Sequence, residues 1–328
     1  MKRELKIMLY AVLLGIVIPW SVFGWAWEWL YLQPADIEDL PGESTAQATQ
    51  PQGRSGVIRV LSEDGTVEEM ELTEYLTGVL LKELPADFEP QAKMAQAVVA
   101  RTYALRTEQK GLKHPPGAVC TGAACCQGYI SVAEYLSRGG TLEAVLSARQ
   151  AVKQTQGFVL TYDGQLIDAT YFSCSGGRTE DALAVWGGEV PYLQSVESPG
   201  EEHAAHFTDS VSYTGQAFQE ALGARLEGTA NSWFGAVTYT QGGGVETMYI
   251  GGVAYTGTYL RTALGLRSTA FTVTATADSV VITTRGFGHR VGMSQYGANA
   301  MAVQGSGWQE ILLHYYIGAV IDKTEDLR

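Results

Sequence analysis

The chain has 328 residues, with 35 acidic and 22 basic side chains and a formal net charge of −13. Hydrophobic residues make up 46% of the sequence and charged residues 17%, which is typical of a globular protein and excludes a disordered one. The acidic balance argues against nucleic acid as a partner, because phosphate binding needs a basic stripe and the sequence has none. Four cysteines are too few to build a disulfide scaffold in a chain of this length.

A membrane anchor is predicted at the N-terminus. Residues 7–27 form an uncharged apolar run that is long enough to cross the hydrocarbon core as a helix. Basic residues precede this run and tryptophans end it, which favours a cytoplasmic N-terminus and an extracytoplasmic remainder. A cleaved signal peptide is the alternative, but its apolar core would be shorter, and no A-x-A site precedes Glu28. Residues 1–32 are therefore interpreted as a cytoplasmic stub and a single-pass signal anchor.

The rest of the chain is predicted to be a linker followed by one folded body. Residues 33–55 contain three prolines and no apolar periodicity, which is typical of a flexible linker. Residues 56–328 then alternate irregularly between hairpins and helices. The predicted order is a hairpin, two helices separated by prolines, a cysteine-bearing loop, a further helix, two strands, a Val/Thr/Tyr-rich strand region and two C-terminal helices. This mixture predicts an α+β fold rather than a doubly wound sheet.

Three long segments carry a family resemblance. They are LKELPADFEPQAKMAQAVVARTYAL, YFSCSGGRTEDALAVWGGEVPYLQSV and GFGHRVGMSQYGANAMAVQG. Together, and in this order, they closely resemble the stage II sporulation protein D family. The resemblance implies a lytic transglycosylase in the mother-cell membrane, acting in forespore engulfment. It would cleave peptidoglycan glycan strands between N-acetylmuramic acid and N-acetylglucosamine. The implied partners are the sporulation cell-wall amidase and a multi-spanning membrane protein, and the implied substrate is glycan free of stem peptides.

Glu83 is the candidate catalytic residue. It stands in the E-[LIM]-P motif, in which the resemblance implies the catalytic acid and base. Such an enzyme needs a carboxyl group that is still protonated near neutral pH. The sequence offers a physical route to this state, because Glu83 lies at the predicted C-terminal end of a helix among apolar neighbours. The alternative is a solvated residue at a helix end.

Candidate substrate-binding residues lie in the same three segments. Their glycines allow close approach of the backbone to a ligand, and their hydroxyls suit hydrogen bonds to sugars. The candidates are Arg101, Tyr171, Ser173, Ser175, Gly176, His289, Ser294, Gln295 and Tyr296. Arg101 can instead brace two helices through an ion pair, and His289 can be a buried structural residue. Arg290 replaces a glycine of the family pattern, which raises the question of a positive φ at this position.

A metal site is predicted in the cysteine-bearing loop. His114, Cys120, Cys125 and Cys126 form an H-x5-C-x4-C-C pattern, which supplies the four soft or borderline ligands of a structural zinc site. The resemblance also implies zinc here in clostridial-type relatives, typically with a histidine where this chain has Cys125. The alternatives are a disulfide from Cys120 to Cys125 or Cys126, or free thiols.

Three other functions remain open on the sequence alone. One is a catalytically silent, peptidoglycan-binding scaffold of the engulfment complex. Another is a zinc hydrolase, which is disfavoured because four protein ligands leave no open coordination position. The third is a cysteine peptidase, for which no Cys/His pair has a recognisable context. The EEHAAHF segment, residues 201–207, is interpreted as a polar surface loop rather than as a second metal site.

Overall fold

The computed structural model describes residues 56–62, 64–111, 113–114, 117–123 and 125–326. The predicted anchor and linker lie outside the described residues. None of the helices that the structure describes combines the length and apolarity needed to cross a membrane. Helices and sheets are mixed without a regular β-α-β alternation, so the predicted α+β class is confirmed.

The helices and strands are as follows. The helices are α1 Leu72–Glu83, α2 Pro90–Lys110, α3 Val132–Ser137, α4 Leu142–Gln154, α5 Ala182–Trp186, α6 Gly215–Leu222, α7 Gly257–Ala263, α8 Gln295–Val303 and α9 Trp308–Tyr315. The strands are β1 Val57–Leu61, β2 Val67–Glu71, β3 Val119–Cys120, β4 Phe158–Tyr162, β5 Gln165–Leu166, β6 Tyr171–Phe172, β7 Thr208–Thr214, β8 Phe234–Tyr239, β9 Val245–Ile250, β10 Val253–Thr256, β11 Phe271–Ala275, β12 Ser279–Arg285, β13 Met293–Ser294 and β14 Val320–Lys323. Short 3₁₀ turns occupy residues 230–232 and 324–326.

Helix α2 is the centre of the helical lobe, which we define as residues 56–207 and 286–326. Pro90 occupies its first turn and Gly111 ends it in a left-handed conformation, which is the usual proline-first, glycine-last arrangement. Residues 92–104 are buried without interruption, because α1, α4, α8 and α9 all pack around this helix. A helix buried on all sides needs the small, Ala-rich surface that this sequence supplies.

Residues 208–285 form the β lobe, which has its own hydrophobic core. Two three-stranded sheets, in the orders β11-β12-β7 and β10-β9-β8, pack with α6 and α7. Phe218, Trp233, Ile250 and Leu260 lie at the centre of this core and are almost completely buried. The strand-rich pattern predicted for this region is confirmed, although the single predicted body holds two separate cores.

The two lobes meet where the chain returns from β12. The glycine-containing segment 286–292 follows β12, and β13 then pairs in parallel with β6, placing Met293 opposite Tyr171 and Ser294 opposite Phe172. A further bridge joins Glu180 to Val291. Two of the three recognisable segments, residues 171–196 and 286–305, are therefore neighbours in space although they are distant in sequence.

Helix α1 begins without a side-chain cap. Glu71 occupies its N-cap position and makes no side-chain capping bond. The last residue of β2 runs directly into the helix, so Thr73 lies inside the first turn. Its carbonyl accepts a 2.7 Å hydrogen bond from the Thr77 hydroxyl.

Candidate active site and metal cluster

Glu83 is the last residue of α1 and lies half-buried beside the end of the cysteine-bearing loop. Leu84 turns extended and ends the helix, ahead of Pro85. The Glu83 Oε1 atom accepts a 2.5 Å hydrogen bond from the backbone N–H of Gly128. A Cβ atom at position 128 would lie 2.6 Å from Oε1, so this close approach requires glycine.

Burial raises the pKa of the Glu83 carboxyl. The Gly128 N–H, the Gln295 amide and the Tyr171 hydroxyl favour the ionised form and oppose this effect without cancelling it. Gln295 is 6% exposed, and its Nε2 atom makes no hydrogen bond within 3.5 Å to any described residue. The site therefore combines a carboxyl group whose pKa is raised with the buried Gln295 amide beside it. The direction of this pKa shift is the one that the sequence led us to expect of Glu83.

Tyr171 is held beside Glu83 by a buried network. Its hydroxyl donates to Gln127 Oε1 at 3.3 Å. The fully buried Gln127 in turn donates through Nε2 to the Tyr75 hydroxyl and to the Ala100 carbonyl, each at 3.3 Å. Gln127 and Gly128 were missed as site residues by the sequence analysis. Their one sequence signal is that they directly follow the last cysteine of the loop.

The structure brings the four predicted metal ligands together. The ligating atoms of His114, Cys120, Cys125 and Cys126 all lie within 4.8 Å of one another, and His114 Nε2 is 3.3 Å from Cys125 Sγ. The cysteines are free thiols, so the structure forms no disulfide among these described residues. Ligand atoms of a tetrahedral zinc site lie roughly 3.5–4 Å apart, so one imidazole and three thiolates in this arrangement fit a closed structural site. These residues can hold a metal ion.

The cluster is anchored to β1 and α2, and a short stretch of chain connects it to the Glu83 site. Strand β3 pairs in parallel with β1 and thereby fixes Cys120. Lys113 Nζ donates to the Cys125 carbonyl and to the Tyr103 hydroxyl, each at 2.6 Å. Because only Gln127 separates Cys126 from Gly128, ordering of the cluster also orders the N–H group that holds Glu83.

Loss of the cluster should therefore destabilise the protein. A metal ion held by this cluster would stabilise the folded state, in which its ligands are assembled, so a Cys120→Ser variant should hold less zinc and should unfold at a temperature lower by roughly 5–10 °C. Metal analysis and a thermal melt of the same samples would check this. Cys174→Ser is the matched control, because Cys174 is a buried thiol outside the cluster. An equal loss of zinc in both variants would contradict the assignment.

A buried carboxylate organises the segment around Ser175. Glu201 is fully buried. Its Oε2 atom accepts hydrogen bonds from Ser175 N, Ser175 Oγ and Gly176 N at 2.7, 2.9 and 3.0 Å. Its Oε1 atom accepts from the Ser198 and Ser294 hydroxyls, both at 2.6 Å. The prediction of a polar surface loop is therefore wrong for Glu201, because five donors stabilise its carboxylate away from water.

These bonds change the role assigned to three predicted sugar-binding residues. Ser175, Gly176 and Ser294 direct donors to Glu201, so they shape the backbone of the site. Ser173 is half-buried, and its carbonyl accepts from Tyr296 N at 3.0 Å. The ring of Tyr296 packs edge-on against Phe88 and His203, which leaves it next to an exposed imidazole.

Arg101 braces a helix end, and it does so without the ion pair that the sequence suggested. The side chain is 3% exposed, and its guanidinium donates to the carbonyls of Val152, Thr155 and Phe158 at 3.1, 2.7 and 3.1 Å. The Val152 and Thr155 carbonyls lie at the C-terminal end of α4, where helix groups lack partners of their own, and the Phe158 carbonyl belongs to the first residue of β4. These contacts give Arg101 a structural role and leave it little surface with which to contact a sugar.

His289 supports neighbouring aromatic rings. Its Nδ1 atom accepts a 3.1 Å hydrogen bond from Val291 N, and the imidazole also bonds to the Tyr171 backbone. The ring packs against Phe172 and Trp186, with centroid distances of 5.6 and 5.4 Å. Burial, assisted by the positive charge of Arg261, lowers the pKa of His289 to about 4. A structural role for His289, in which it supports neighbouring side chains, therefore accounts for its polar contacts.

This shift predicts a loss of stability in acid. The folded-state pKa lies below the ordinary histidine value of 6.5, so His289 contributes stability that is fully present above pH 6.5 and is lost as the pH falls toward 4. The loss should reach about 3 kcal/mol. The free energy of unfolding, measured with denaturant, should therefore differ less between pH 7 and pH 4.5 for His289→Asn than for wild type. His203→Asn is the control for removing an exposed histidine, and identical pH dependence in His289→Asn and wild type would contradict the prediction.

The structure shows the backbone conformation and the contacts of Arg290, the residue that replaces a glycine of the family pattern. Its φ is +67°, so the position does take the left-handed conformation. Its guanidinium is 2% exposed and forms a 3.1 Å ion pair with Glu180, which is itself fully buried. It also donates to the carbonyls of Ser175, Arg178 and Gly242 at 2.7, 2.8 and 2.6 Å. Gly242 lies between β8 and β9, so Arg290 fastens the two lobes together.

Fold and site together define a two-lobed α+β protein with a half-buried carboxyl at a helix end, beside a Cys/His cluster. The family model described as "Stage II sporulation protein" matches residues 62–162. The chain is 38% identical to "Stage II sporulation protein D" of Bacillus subtilis over 302 residues, which cover 87% of each chain. It is 37% identical to the Bacillus amyloliquefaciens protein of the same name over 305 residues, 89% of this chain and 88% of the relative. The chain belongs to the stage II sporulation protein D family, so the predicted resemblance is confirmed.

A more distant relative has a different name. The chain is 28% identical over 301 residues to "Amidase enhancer" of Bacillus subtilis. The match covers 75% of this chain and 40% of that relative.

Proposed function

We propose that the protein is a peptidoglycan lytic transglycosylase and that Glu83 is its acid and base. The observation that carries the proposal is the half-buried Glu83 carboxyl, whose pKa burial raises and whose position the Gly128 N–H fixes. A protonated carboxyl at neutral pH is the acid needed to cleave a glycosidic bond. Gln295 and Tyr171 lie beside the carboxyl and can orient a sugar against it.

One carboxyl group suffices for this reaction. Glu83 donates its proton to the oxygen of the bond between N-acetylmuramic acid and N-acetylglucosamine, and the bond to the anomeric carbon breaks. The Glu83 carboxylate then takes the proton of the muramic acid C6 hydroxyl, whose oxygen attacks the same anomeric carbon. The product is an anhydro-muramic end, no water is consumed, and Glu83 is protonated again. The strongest influences on the Glu83 pKa after burial are donors and Lys82, rather than the second carboxylate of an ordinary glycosidase pair.

The Cys/His cluster has a structural role in this proposal. His114, Cys120, Cys125 and Cys126 would hold Zn²⁺ through four protein ligands, which is the number typical of a closed structural site. Bound zinc would stabilise the loop that ends at Gly128. The same ligand count disfavours a zinc hydrolase.

Location and partners follow from the apolar N-terminal run and the family. Residues 7–27 would anchor the chain in the mother-cell membrane, with the body facing the septum or forespore during engulfment. A sporulation cell-wall amidase and a multi-spanning membrane protein would be its partners. The amidase would remove stem peptides and so supply the preferred, peptide-free glycan.

A catalytically silent scaffold is the second candidate. The similarity to a protein named "Amidase enhancer" favours it, because that name describes assistance to another enzyme. The scaffold would bind peptidoglycan with the same residues and leave cleavage to the amidase complex.

Product analysis separates these functions. The body from Gly56 onward would be incubated with peptide-free glycan strands, and the released fragments would be weighed by mass spectrometry. Anhydro-ended fragments are expected. Fragments heavier by one water would identify a hydrolase, and intact strands with folded, metal-loaded protein would favour the scaffold.

A further inference from the structure

Gln127 joins three elements next to the Glu83 carboxyl. It is fully buried, and its side chain bonds at 3.3 Å to each of three groups, which are the Tyr75 hydroxyl of α1, the Ala100 carbonyl of α2 and the Tyr171 hydroxyl of β6. The next residue, Gly128, donates its N–H to Glu83 Oε1 at 2.5 Å. One dipeptide, residues 127–128, therefore bonds both to Tyr171 and to Glu83.

The contacts determine which way the Gln127 amide points. A backbone carbonyl can only accept a hydrogen bond, so the group that faces the Ala100 carbonyl is the Nε2 amide of Gln127. The amide oxygen, Oε1, then faces the Tyr171 hydroxyl. Because Oε1 can also only accept, the single proton of the Tyr171 hydroxyl lies in this bond. Burial raises the pKa of Tyr171 well above its ordinary value, so the hydroxyl keeps its proton at neutral pH.

The same Tyr171 hydroxyl faces the Glu83 carboxyl. A hydroxyl that donates to a carboxylate favours the ionised form. A hydroxyl whose proton is held by another acceptor offers the carboxyl only its lone pairs, which can accept from the protonated form. Gln127 and an ionised Glu83 therefore compete for one hydrogen-bond donor, and in the structure Gln127 holds it.

We infer that Gln127 is a positioning residue, which holds the Tyr171 hydroxyl proton away from Glu83 and so helps Glu83 to keep the proton that it gives to the substrate. The inference rests on the proposed function and concerns the same carboxyl. No proton changes its owner, because Tyr171 only donates a hydrogen bond to Gln127. Lys82 and Tyr75 on α1 also interact with the Glu83 carboxyl, and the cluster thiols act on Tyr75.

The test measures the protonation of Glu83 by carbon-13 NMR of the full-length chain in detergent, with glutamate labelled at its carboxyl carbon. The Glu83 signal is the one that disappears in Glu83→Gln. Gln127→Met removes the acceptor with little change in side-chain length. At a fixed pH the ratio of protonated to ionised Glu83 should then fall about three- to tenfold, which is the effect of one hydrogen bond. Gln127→Glu keeps an acceptor oxygen and should leave the ratio at or above its wild-type value.

A double variant shows whether Gln127 acts through Tyr171. In a Tyr171→Phe background there is no hydroxyl to release, so Gln127→Met should no longer change the ratio. A merely structural role, in which methionine loosens the loop and admits water, would lower the ratio in both backgrounds. Tyr129→Phe is the control, because it removes a neighbouring hydroxyl of the same loop, whose ring stacks on Tyr75 at 5.7 Å, and it should change nothing.

The outcomes separate the inference from the proposed function. An unchanged ratio in Gln127→Met, a lower ratio in Gln127→Glu, or an equal fall in both backgrounds would each overturn the inference. Gln127→Glu tests it alone if Gln127→Met does not fold. The NMR measurement needs no turnover, so an absence of glycan cleavage would count against the proposed function and leave this test intact. If glycan is cleaved, the alkaline limb of the kcat profile should move to lower pH in Gln127→Met, with KM unchanged.

Discussion

Replacing Glu83 with glutamine should reduce the release of anhydro-ended fragments by about 10²–10⁴-fold, which is the usual contribution of a general acid–base residue. Glutamine has nearly the same size, and its amide oxygen can accept the hydrogen bond that Gly128 N now donates to Glu83 Oε1. The variant should therefore fold as the wild type does. Under the proposed mechanism, what it loses is the proton that passes to the glycosidic oxygen and returns from the C6 hydroxyl.

The matched control is Glu74→Gln on the same helix. The Glu74 side chain is 43% exposed and pairs with Arg149 at 3.1 Å, so its replacement should leave cleavage within about twofold of wild type. Cleavage rates, far-ultraviolet circular dichroism and zinc content would be measured on the three proteins. Full cleavage by Glu83→Gln would contradict the assignment of Glu83. Loss of cleavage together with zinc would instead identify a structural failure.

The sequence predicts Glu83 but does not predict the groups that set its proton affinity. The helix, its end before Pro85 and the apolar neighbours are all local features, so periodicity and the proline identify them. The groups that oppose the rise in the Glu83 pKa include the Gly128 N–H and the Gln295 amide, which are 45 and 212 residues further along the chain. Gln295 was a candidate because it lies in a recognisable motif. Gly128 was missed because a glycine in a loop resembles an ordinary turn until its neighbour in space is known.

Glu201 shows the opposite failure. Its neighbours Glu202 and His203 are exposed, and by composition the segment is a polar loop. Its burial depends on five donors from Ser175, Gly176, Ser198 and Ser294, most of them distant in sequence. A charge is almost never fully buried without such partners, so composition favours the wrong answer wherever the partners are non-local. The metal ligands were predictable for the opposite reason, because all four lie within one short loop.

The sequence also did not predict the buried Arg290–Glu180 ion pair that connects the lobes. Its loss has the largest expected effect on stability. Arg290→Ala should lower the free energy of unfolding by about 3–5 kcal/mol, because it leaves Glu180 buried without its cation. Thr240 Oγ1 and Gly244 N would still donate to Glu180 Oε1, at 2.8 and 2.9 Å, while Oε2 has no partner among the described residues. Two hydrogen bonds from neutral groups cannot replace a guanidinium at a fully buried carboxylate.

Replacing Arg290 with glycine tests whether the ion pair or the left-handed backbone has the larger effect on the free energy of unfolding. Arg290→Gly should relieve the left-handed conformation at φ +67°, a gain of about 1 kcal/mol, and still lose the larger ion-pair contribution. The double variant Arg290→Gly/Glu180→Gln should be more stable than Arg290→Gly alone, since it removes the orphaned charge. Urea unfolding curves would give the free energies of unfolding of Arg290→Ala, Arg290→Gly and the double variant. Arg149→Ala, which breaks an exposed pair, should change stability by less than about 1 kcal/mol. If Arg290→Ala were no more destabilising than Arg149→Ala, the buried Arg290–Glu180 pair would contribute no more to stability than an exposed pair. It would then not hold the lobes together.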